Sequence, residues 1–332
     1  MLKKVLVVAA LLCVMAPFAA QDKAGKWGVE VSGWMVRPLG LDTTYAYGFY
    51  GVGTPTGGNF TQRPYSIGNE YRWSPNLKVS HATDAFTFWV DYTSYDQTSS
   101  STANASVDNQ WMLNPTLTNG QYLFTYADVA SATLRTTYTN WDINVGHVFH
   151  PADKWALTVY GGVRYLRLEN DVHATYVDTN NYNSWGPGAT DAVRLHANMT
   201  GWGLNFGFTN DFTFGKRWAI GTGLEVSMVR TTNDLDQNEV LDSPYYGTYG
   251  ITGINSSKQK VTPALKMYAE AKFNFNDSWY AKLGYRFDFI KDGFGFDYTG
   301  TPIFSVGYSG GYFPTNKDVT FDGLYFTIGV KF

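Results

Sequence analysis

The sequence predicts an all-β fold, a transmembrane antiparallel β-barrel of about ten strands, and three observations support this. About ten stretches alternate apolar and polar residues, the pattern of a strand with one apolar and one polar face. Long and short connections alternate, as in barrels with short periplasmic turns and long extracellular loops. Charged residues make up only 16% of the chain and aromatic residues 17%, while the mean hydropathy is -0.24. A chain that is rich in aromatic residues but not apolar on average suits a barrel wall whose residues alternate between lipid and water.

Two other fold classes fit less well. A helical membrane protein needs apolar runs of about 20 residues, and beyond residue 20 no uncharged apolar run approaches that length. The strands of a soluble sandwich average about 5–6 residues, shorter than the alternating stretches here. A count of twelve strands stays open if one long loop contains a hairpin. The net charge of -3 gives no support for a nucleic-acid partner.

Each predicted strand is placed by the apolar side chains that share one of its faces. In chain order, the clearest of these faces are Trp27, Val29 and Val31; Phe86, Phe88 and Val90; Trp141, Ile143 and Val145; Leu157, Val159 and Val163; Trp202, Leu204 and Phe206; Ile220, Leu224 and Val226; Leu265, Met267 and Phe273; and Leu283, Tyr285 and Phe287. We predict strands at about 26–37, 71–81, 85–95, 131–148, 155–176, 193–212, 218–231, 260–275, 279–290 and 324–332.

The connections between these strands fall into two classes. Tight turns are predicted at 82–84, 150–154, 214–217 and 276–278, and long loops at 38–68, 96–130, 178–190, 233–258 and 291–318. Trp155, Trp218 and Trp279 each follow a tight turn, which is where the periplasmic aromatic girdle of a barrel lies. The even strand count follows if both ends of the mature chain lie in the periplasm.

The two ends of the chain carry export signals. Lys3 and Lys4 precede an apolar core at 5–15 and a small-residue site at 16–20, so residues 1–20 read as a cleaved signal peptide and 21–332 as an outer-membrane barrel. The only cysteine, Cys13, would be removed with it. The last strand resembles the terminal strand of bacterial outer membrane proteins. The barrel-assembly machinery recognises that strand. The alternating apolar residues of the last strand in this chain are Leu324, Phe326, Ile328, Val330 and Phe332.

Five short segments, in order along the mature chain, carry a family resemblance. They are Tyr71-Arg-Trp-Ser-Pro-Asn-Leu-Lys-Val79, Trp141-Asp-Ile-Asn-Val-Gly146, Gly161-Gly-Val-Arg-Tyr165, Gly201-Trp-Gly-Leu-Asn205 and Phe321-Asp-Gly-Leu324. With these segments the chain resembles the Legionella-type pore-forming major outer membrane protein family. The resemblance implies a β-barrel porin, and it covers the wall rather than the loops.

Alternation assigns one set of charged residues to the lumen. These are Arg72, Lys78, Asp91, Asp142, Arg164, Asp211, Glu225, Lys266, Glu270, Lys272, Lys282, Arg286 and Lys331. In one interpretation they line a hydrated pore for small solutes, which its Arg and Lys bias towards anions. In the other they pair with one another and fill a narrow barrel. The first predicts passive diffusion of small hydrophilic solutes; the second predicts a structural or adhesion barrel with a closed lumen.

A third hypothesis is a protease at the extracellular rim, similar to the omptins. Asp171-Val-His173 and Asp234-Leu-Asp236 provide an imidazole beside carboxylates, which can act as a general base. Their order in the chain and their flanking residues differ from the omptin pattern, so we expect no catalytic residue. The histidines show no ligand spacing, so we expect neither a metal nor a cofactor. The expected partners are outer-membrane lipid and lipopolysaccharide, the assembly machinery and small solutes.

Overall fold

The computed structural model describes residues 26–50, 61–83, 85–104, 111–113, 127–179, 186–298 and 312–332. The predicted signal peptide and the tips of several predicted loops lie outside these residues. No helix in this part of the chain is long and apolar enough to cross a membrane. The strands are β1 (Lys26–Leu39), β2 (Thr43–Tyr50), β3 (Thr61–Ile67), β4 (Arg72–Ala82), β5 (Phe86–Asn104), β6 (Trp111–Leu113), β7 (Val129–Ala152), β8 (Trp155–Asp178), β9 (Ala189–Phe214), β10 (Trp218–Ser243), β11 (Gly247–Asn274), β12 (Trp279–Tyr298) and β13 (Tyr312–Lys331).

Ten of these strands form a closed antiparallel barrel, in the order β1-β13-β12-β11-β10-β9-β8-β7-β5-β4. The ring closes where the first strand pairs with the last, from Gly28 opposite Lys331 to Leu39 opposite Thr320. Trp27 and Phe332 exchange two backbone hydrogen bonds, of 2.9 and 3.0 Å. Closure leaves no free sheet edge, which is required wherever hydrocarbon surrounds the backbone. The predicted fold class and the count of ten barrel strands are confirmed.

An apolar belt surrounds the barrel between two rows of aromatic rings. At the periplasmic end Trp155 stacks on Phe212, with ring centres 5.5 Å apart. Ten residues further along the same two strands, Tyr165 packs on Trp202 at 4.8 Å. Ten residues of tilted strand rise about 25 Å, the height of the apolar band of an outer-membrane barrel. The residues between the rows, such as Phe206 at 63% exposure, therefore face lipid.

The strands continue well beyond the outer aromatic row. A strand needs about 9–11 residues to cross a bilayer, whereas β8 to β11 contain between 24 and 28 residues each. The prediction of a long loop at 233–258 is wrong, because β10 and β11 continue through this segment and are joined by a turn at residues 244–246. The outer face of this extension carries mostly polar side chains, since it stands in water, so the lipid-type alternation is absent there. Predicted loops 96–130 and 291–318 are likewise shortened by longer strands.

A small sheet fills the extracellular half of the barrel. Strands β2, β3 and β6 form it, in the order β3-β2-β6, within segments predicted to be loops. Tyr45 and Ile67 of this sheet belong to one buried cluster with Leu134 and Tyr176 of the wall. The Tyr176 hydroxyl donates to the Tyr45 carbonyl, and the Tyr45 and Ser101 hydroxyls lie 3.0 Å apart. The extracellular half therefore has an apolar core like that of a soluble protein.

Tyrosine rings in the lower half of the lumen lie over glycines of the neighbouring strand. The cross-strand pairs are Tyr160 with Gly207, Tyr268 with Gly223, Tyr280 with Gly329 and Tyr325 with Gly284. A Cβ on Gly284 would lie 2.7 Å from Cζ of Tyr325, closer than side chains approach. Glycine at these positions lets each ring lie flat against the wall, which fills the lumen without widening the barrel.

We expect Gly223→Ala to destabilise the barrel, because the three atoms nearest to its added Cβ all belong to the Tyr268 side chain and would overlap it. Overpacking of this kind costs roughly 1–3 kcal/mol. Urea unfolding from lipid vesicles, followed by Trp fluorescence, measures the change in unfolding free energy. Gly250→Ala is the matched control, since nothing lies within 4 Å of its added Cβ. Unchanged stability of Gly223→Ala would contradict this packing, and a second change, Tyr268→Ala, should remove the overlap.

Candidate functional site

The structure places most of the predicted lumen charges inside the barrel, in three groups. Asp142, Arg164, Glu225 and Lys266 are buried near its middle, and Arg286 is buried in a second group on their extracellular side. Closer to the periplasm, one cavity is lined by Lys78, Asp211, Glu270, Lys272, Lys282 and Lys331. Asp91 contacts the central group through Lys266. Arg72 is the exception, because it lies exposed at the extracellular start of β4.

Asp142 on β7 is the centre of the buried charge layer. Its carboxylate accepts hydrogen bonds from Arg164 Nε at 2.7 Å and from Arg164 Nη2 at 3.1 Å. Lys266 Nζ lies 2.5 Å from the same carboxylate. Lys266 is on β11, four places from β7 in the ring of ten strands. The ion pair therefore crosses the lumen instead of following its wall.

Arg164 on β8 connects Asp142 to β10, two places further along the ring. Its guanidinium pairs with Glu225 on β10 and donates to Ser227 Oγ at 2.6 Å. The Tyr160 hydroxyl donates to the second oxygen of Glu225, at 3.1 Å. A guanidinium with a carboxylate on each side matches the fork geometry that favours bidentate pairs. Every charged group of this layer thus has an opposite charge in contact, which buried ions require.

A second cross-lumen layer lies on the extracellular side of the first. Arg286 on β12 pairs with Asp288 at 2.5 and 2.8 Å and lies 4.5 Å from the centre of the Trp34 ring. The Tyr138 hydroxyl donates to Asp288 at 3.3 Å. Because β7 and β12 are five places apart in a ring of ten, this bond joins opposite walls. The Phe321 ring stacks on Tyr138 at 4.2 Å and continues into the apolar core.

The third group of charges is centred on Lys282, nearer the periplasm. Its ammonium lies 3.1 Å from Glu30 and 3.0 Å from Glu270. Two tyrosine hydroxyls donate to the same carboxylates, Tyr280 to Glu30 at 2.8 Å and Tyr325 to Glu270 at 2.6 Å. Below this group the lumen opens into a cavity of about 690 Å³ that we call the vestibule. Its wall includes Lys26, Ala82 and Thr83, so it opens at the periplasmic end.

Sequence reasoning missed several residues of these layers. Glu30, Trp34 and Tyr138 were absent from the predicted lumen set, although each occupies an inward position on its strand. Alternation with Val29 and Val31 would have placed Glu30 inside. The pairing of Tyr138 with Asp288 had no sequence signal, because 150 positions separate them. Alternation predicts which side chains point into the lumen. Which of these side chains face each other across the lumen is decided only by closure of the ring.

A separate cluster lies on the outer face of the extracellular extension. His196 Nδ1 is 2.6 Å from Asp171 Oδ1, and Glu169 joins them so that all three ligand atoms lie within 4.8 Å of one another. His173, the histidine of the Asp-x-His motif, instead stands opposite Arg194. Asp171 therefore pairs with a histidine 25 positions away, which the motif did not indicate. The cluster faces away from the lumen, whereas the rim hypothesis needs a groove.

Comparison with known proteins finds similarity of fold alone. No protein-family model and no curated protein matches the chain. Among solved structures it is similar to the outer membrane protease OmpT from Escherichia coli, with 11% identity, a TM-score of 0.46 and coverage of 92% of this chain and 96% of that one. A Pseudomonas aeruginosa FadL homologue has 12% identity and a TM-score of 0.33, with coverage of 95% and 91%.

The toluene transporter TodX of P. putida shares 7% identity with this chain at a TM-score of 0.30, with coverage of 95% and 91%. A shared fold does not choose between transport and catalysis. The resemblance to the Legionella-type family stays a prediction.

We expect Asp142→Ala to reduce the unfolding free energy by about 3–5 kcal/mol, because it leaves Arg164 and Lys266 buried without their shared partner. Arg135→Ala is the control. Its pair with Asp96 is about half exposed, and such surface pairs contribute about 0–1 kcal/mol. Urea unfolding of both variants from lipid vesicles provides the comparison. Equal, small losses in the two variants would show that the central layer is hydrated rather than buried.

Proposed function

We propose that the protein is a bacterial outer-membrane barrel with a closed lumen, which holds a projecting β-structure at the cell surface. The observation that carries this proposal is the pair of charge layers that cross the lumen. Asp142 is 0% exposed, and Arg164 and Glu225 are each 3% exposed. Among the residues that the structure describes, side chains this inaccessible leave no room for a hydrated path of solute size at their level.

The extracellular extensions of the barrel strands are long enough to project from the membrane surface. From Tyr165 to the end of β8 there are 13 further residues, which measure about 43 Å along the tilted strand at roughly 3.3 Å per residue. The apolar core inside this extension keeps it rigid. At the tip of the β10–β11 hairpin, Tyr245 and Tyr246 are 62% and 57% exposed. Exposed aromatic side chains at a rigid tip suit contact with another surface, so we propose an adhesive or structural role.

Passive diffusion of small hydrophilic solutes is the second candidate function. The vestibule favours it, because a water-accessible cavity of about 690 Å³ reaches the lower charge layer from the periplasm. Conduction would then require rearrangement of the Asp142, Arg286 and Lys282 groups. In that case the lumen cations would favour anions.

For the lipid partner we propose lipopolysaccharide in the outer leaflet. Arg230 is exposed on the outer wall and stands beside Trp202 of the upper aromatic row. Its guanidinium also donates to Gln259 at 2.9 Å. A guanidinium at the level of the headgroups suits a lipid phosphate. Assembly into this membrane would use the predicted signal peptide and the terminal strand.

The conduction test uses purified protein in planar bilayers, with heat-modifiable gel migration as the check that it is folded. We expect no step currents over many insertions, because the two charge layers close the lumen. Defined step currents would contradict the closed barrel and support diffusion. In that case Lys282→Glu with Arg286→Glu should shift the reversal potential in a salt gradient towards cation preference.

A second test concerns the terminal aromatic residue. Phe332→Ala removes the ring but keeps both backbone hydrogen bonds with Trp27. If the assembly machinery reads the ring, the amount of protein in the outer membrane should fall several-fold in cells. Unassisted refolding into lipid vesicles should stay unchanged, and Phe332→Trp should restore the cellular amount. An equal loss in cells and in vesicles would instead assign the residue to barrel stability.

A further inference from the structure

The vestibule has an excess of positive charge on its wall. Five lysines and three carboxylates line it: Lys26, Lys78, Lys272, Lys282 and Lys331 against Glu30, Asp211 and Glu270. The cavity lies inside the barrel, so the wall separates it from the lipid headgroups. Its volume, about 690 Å³, is within the 300–1,000 Å³ typical of small-molecule sites.

Two of the three carboxylates already share one lysine of this wall. Glu30 and Glu270 both pair with Lys282, at 3.1 and 3.0 Å. The three groups together carry a single negative charge. Tyr280 and Tyr325 donate to the same carboxylates, which satisfies further acceptor sites. These carboxylates are therefore held by existing partners and are not free to neutralise the remaining lysines.

The remaining lysines face the cavity with aromatic rings as neighbours. Lys272 Nζ is 4.2 Å and Lys331 Nζ 5.5 Å from the centre of the Tyr280 ring, and Lys78 Nζ is 5.2 Å from that of Trp89. Among the described residues, none of the three has a carboxylate within the 4.0 Å of a salt bridge. Glu30 and Asp91 are the cross-strand neighbours of Lys78. Asp211 remains as the other acidic group in the wall.

The register brings like charges together at this point. Lys272 stands directly opposite Lys282 on the neighbouring strand, and like charges placed in this way repel each other. Glu30 and Glu270 offset the charge of Lys282, whereas Lys272 has no such salt bridge among the described residues. Lys331 is the second cation over the same Tyr280 ring. Three ammonium groups thus converge around one aromatic ring at the floor of a pocket that the central layers close from above.

We propose that the vestibule is a binding site for a small, multiply charged anion that carries phosphate or carboxylate groups and enters from the periplasm. Lys272 and Lys331 bind the anionic groups, and Lys78 on β4 adds a third ammonium group to the same wall. The Tyr280 ring keeps both ammonium groups directed into the cavity through cation–π contact. A low-dielectric wall concentrates the field of these charges and strengthens the attraction for an anion.

The test is isothermal titration calorimetry on the folded protein in detergent micelles, with pyrophosphate and citrate as probes. We expect binding that weakens with added salt, because the attraction is electrostatic. Lys272→Gln with Lys331→Gln should reduce affinity at least tenfold. The matched control is Lys154→Gln with Lys216→Gln, which removes two exposed lysines from the tight turns. The control variant should bind as the unmutated protein does.

A variant with the opposite effect keeps the test informative if the double lysine variant fails to fold. Asp211→Asn removes the acidic group that no salt bridge neutralises, so affinity for both probes should rise several-fold. Absence of binding to the unmutated protein, or equal affinity in all variants, would overturn the proposal. Binding is measured without a membrane potential, so its result does not depend on whether the barrel conducts.

Discussion

Every backbone donor and acceptor in the wall must find a partner, because hydrocarbon offers none. The pairing of β1 with β13 meets this requirement, and Trp27 and Phe332 complete the ring with their two hydrogen bonds. Once the ring is closed, each strand has one face towards lipid and one towards the lumen. The aromatic rows, the apolar belt and the inward charges all follow from this single closure.

Closure of the ring also places charged side chains in a narrow lumen. A ring of ten strands encloses a narrow lumen, and inward charges there lose most of their water. Asp142 is surrounded by Arg164, Lys266 and Asn140, so its desolvation is offset by three partners. Tyrosine rings over glycines fill the space between these groups. The lower barrel is thus packed with polar contacts, and the upper barrel with apolar ones.

The change from polar to apolar packing explains how the two ends of the molecule differ. Above the Arg286–Asp288 pair, the strands leave the membrane and enclose the small sheet of β2, β3 and β6. Water surrounds the outer face of the strands there, so their apolar side chains point inward and form a core. Below the Lys282 group, the interior is too wide for its side chains and opens to the periplasm. A closed middle with a cationic lower pocket makes the barrel asymmetric in a way that its wall alone does not indicate.

The sequence by itself determined the parts that depend on local period. Alternation placed the apolar belt and the tight turns, and it assigned most inward charges to the correct face. It missed the continuation of β10 to Ser243, because there the outer face meets water instead of lipid and the lipid-type alternation disappears. It also missed His196 beside Asp171, since that contact follows from strand register.

Only the tertiary structure decided which inward charges meet across the lumen. Lys266 reaches Asp142 and Tyr138 reaches Asp288 because ring closure brings distant strands face to face. A two-residue period specifies a side of the sheet, but it holds no information about the curvature that joins opposite walls. The choice between a hydrated pore and a filled barrel therefore depended on the closed ring.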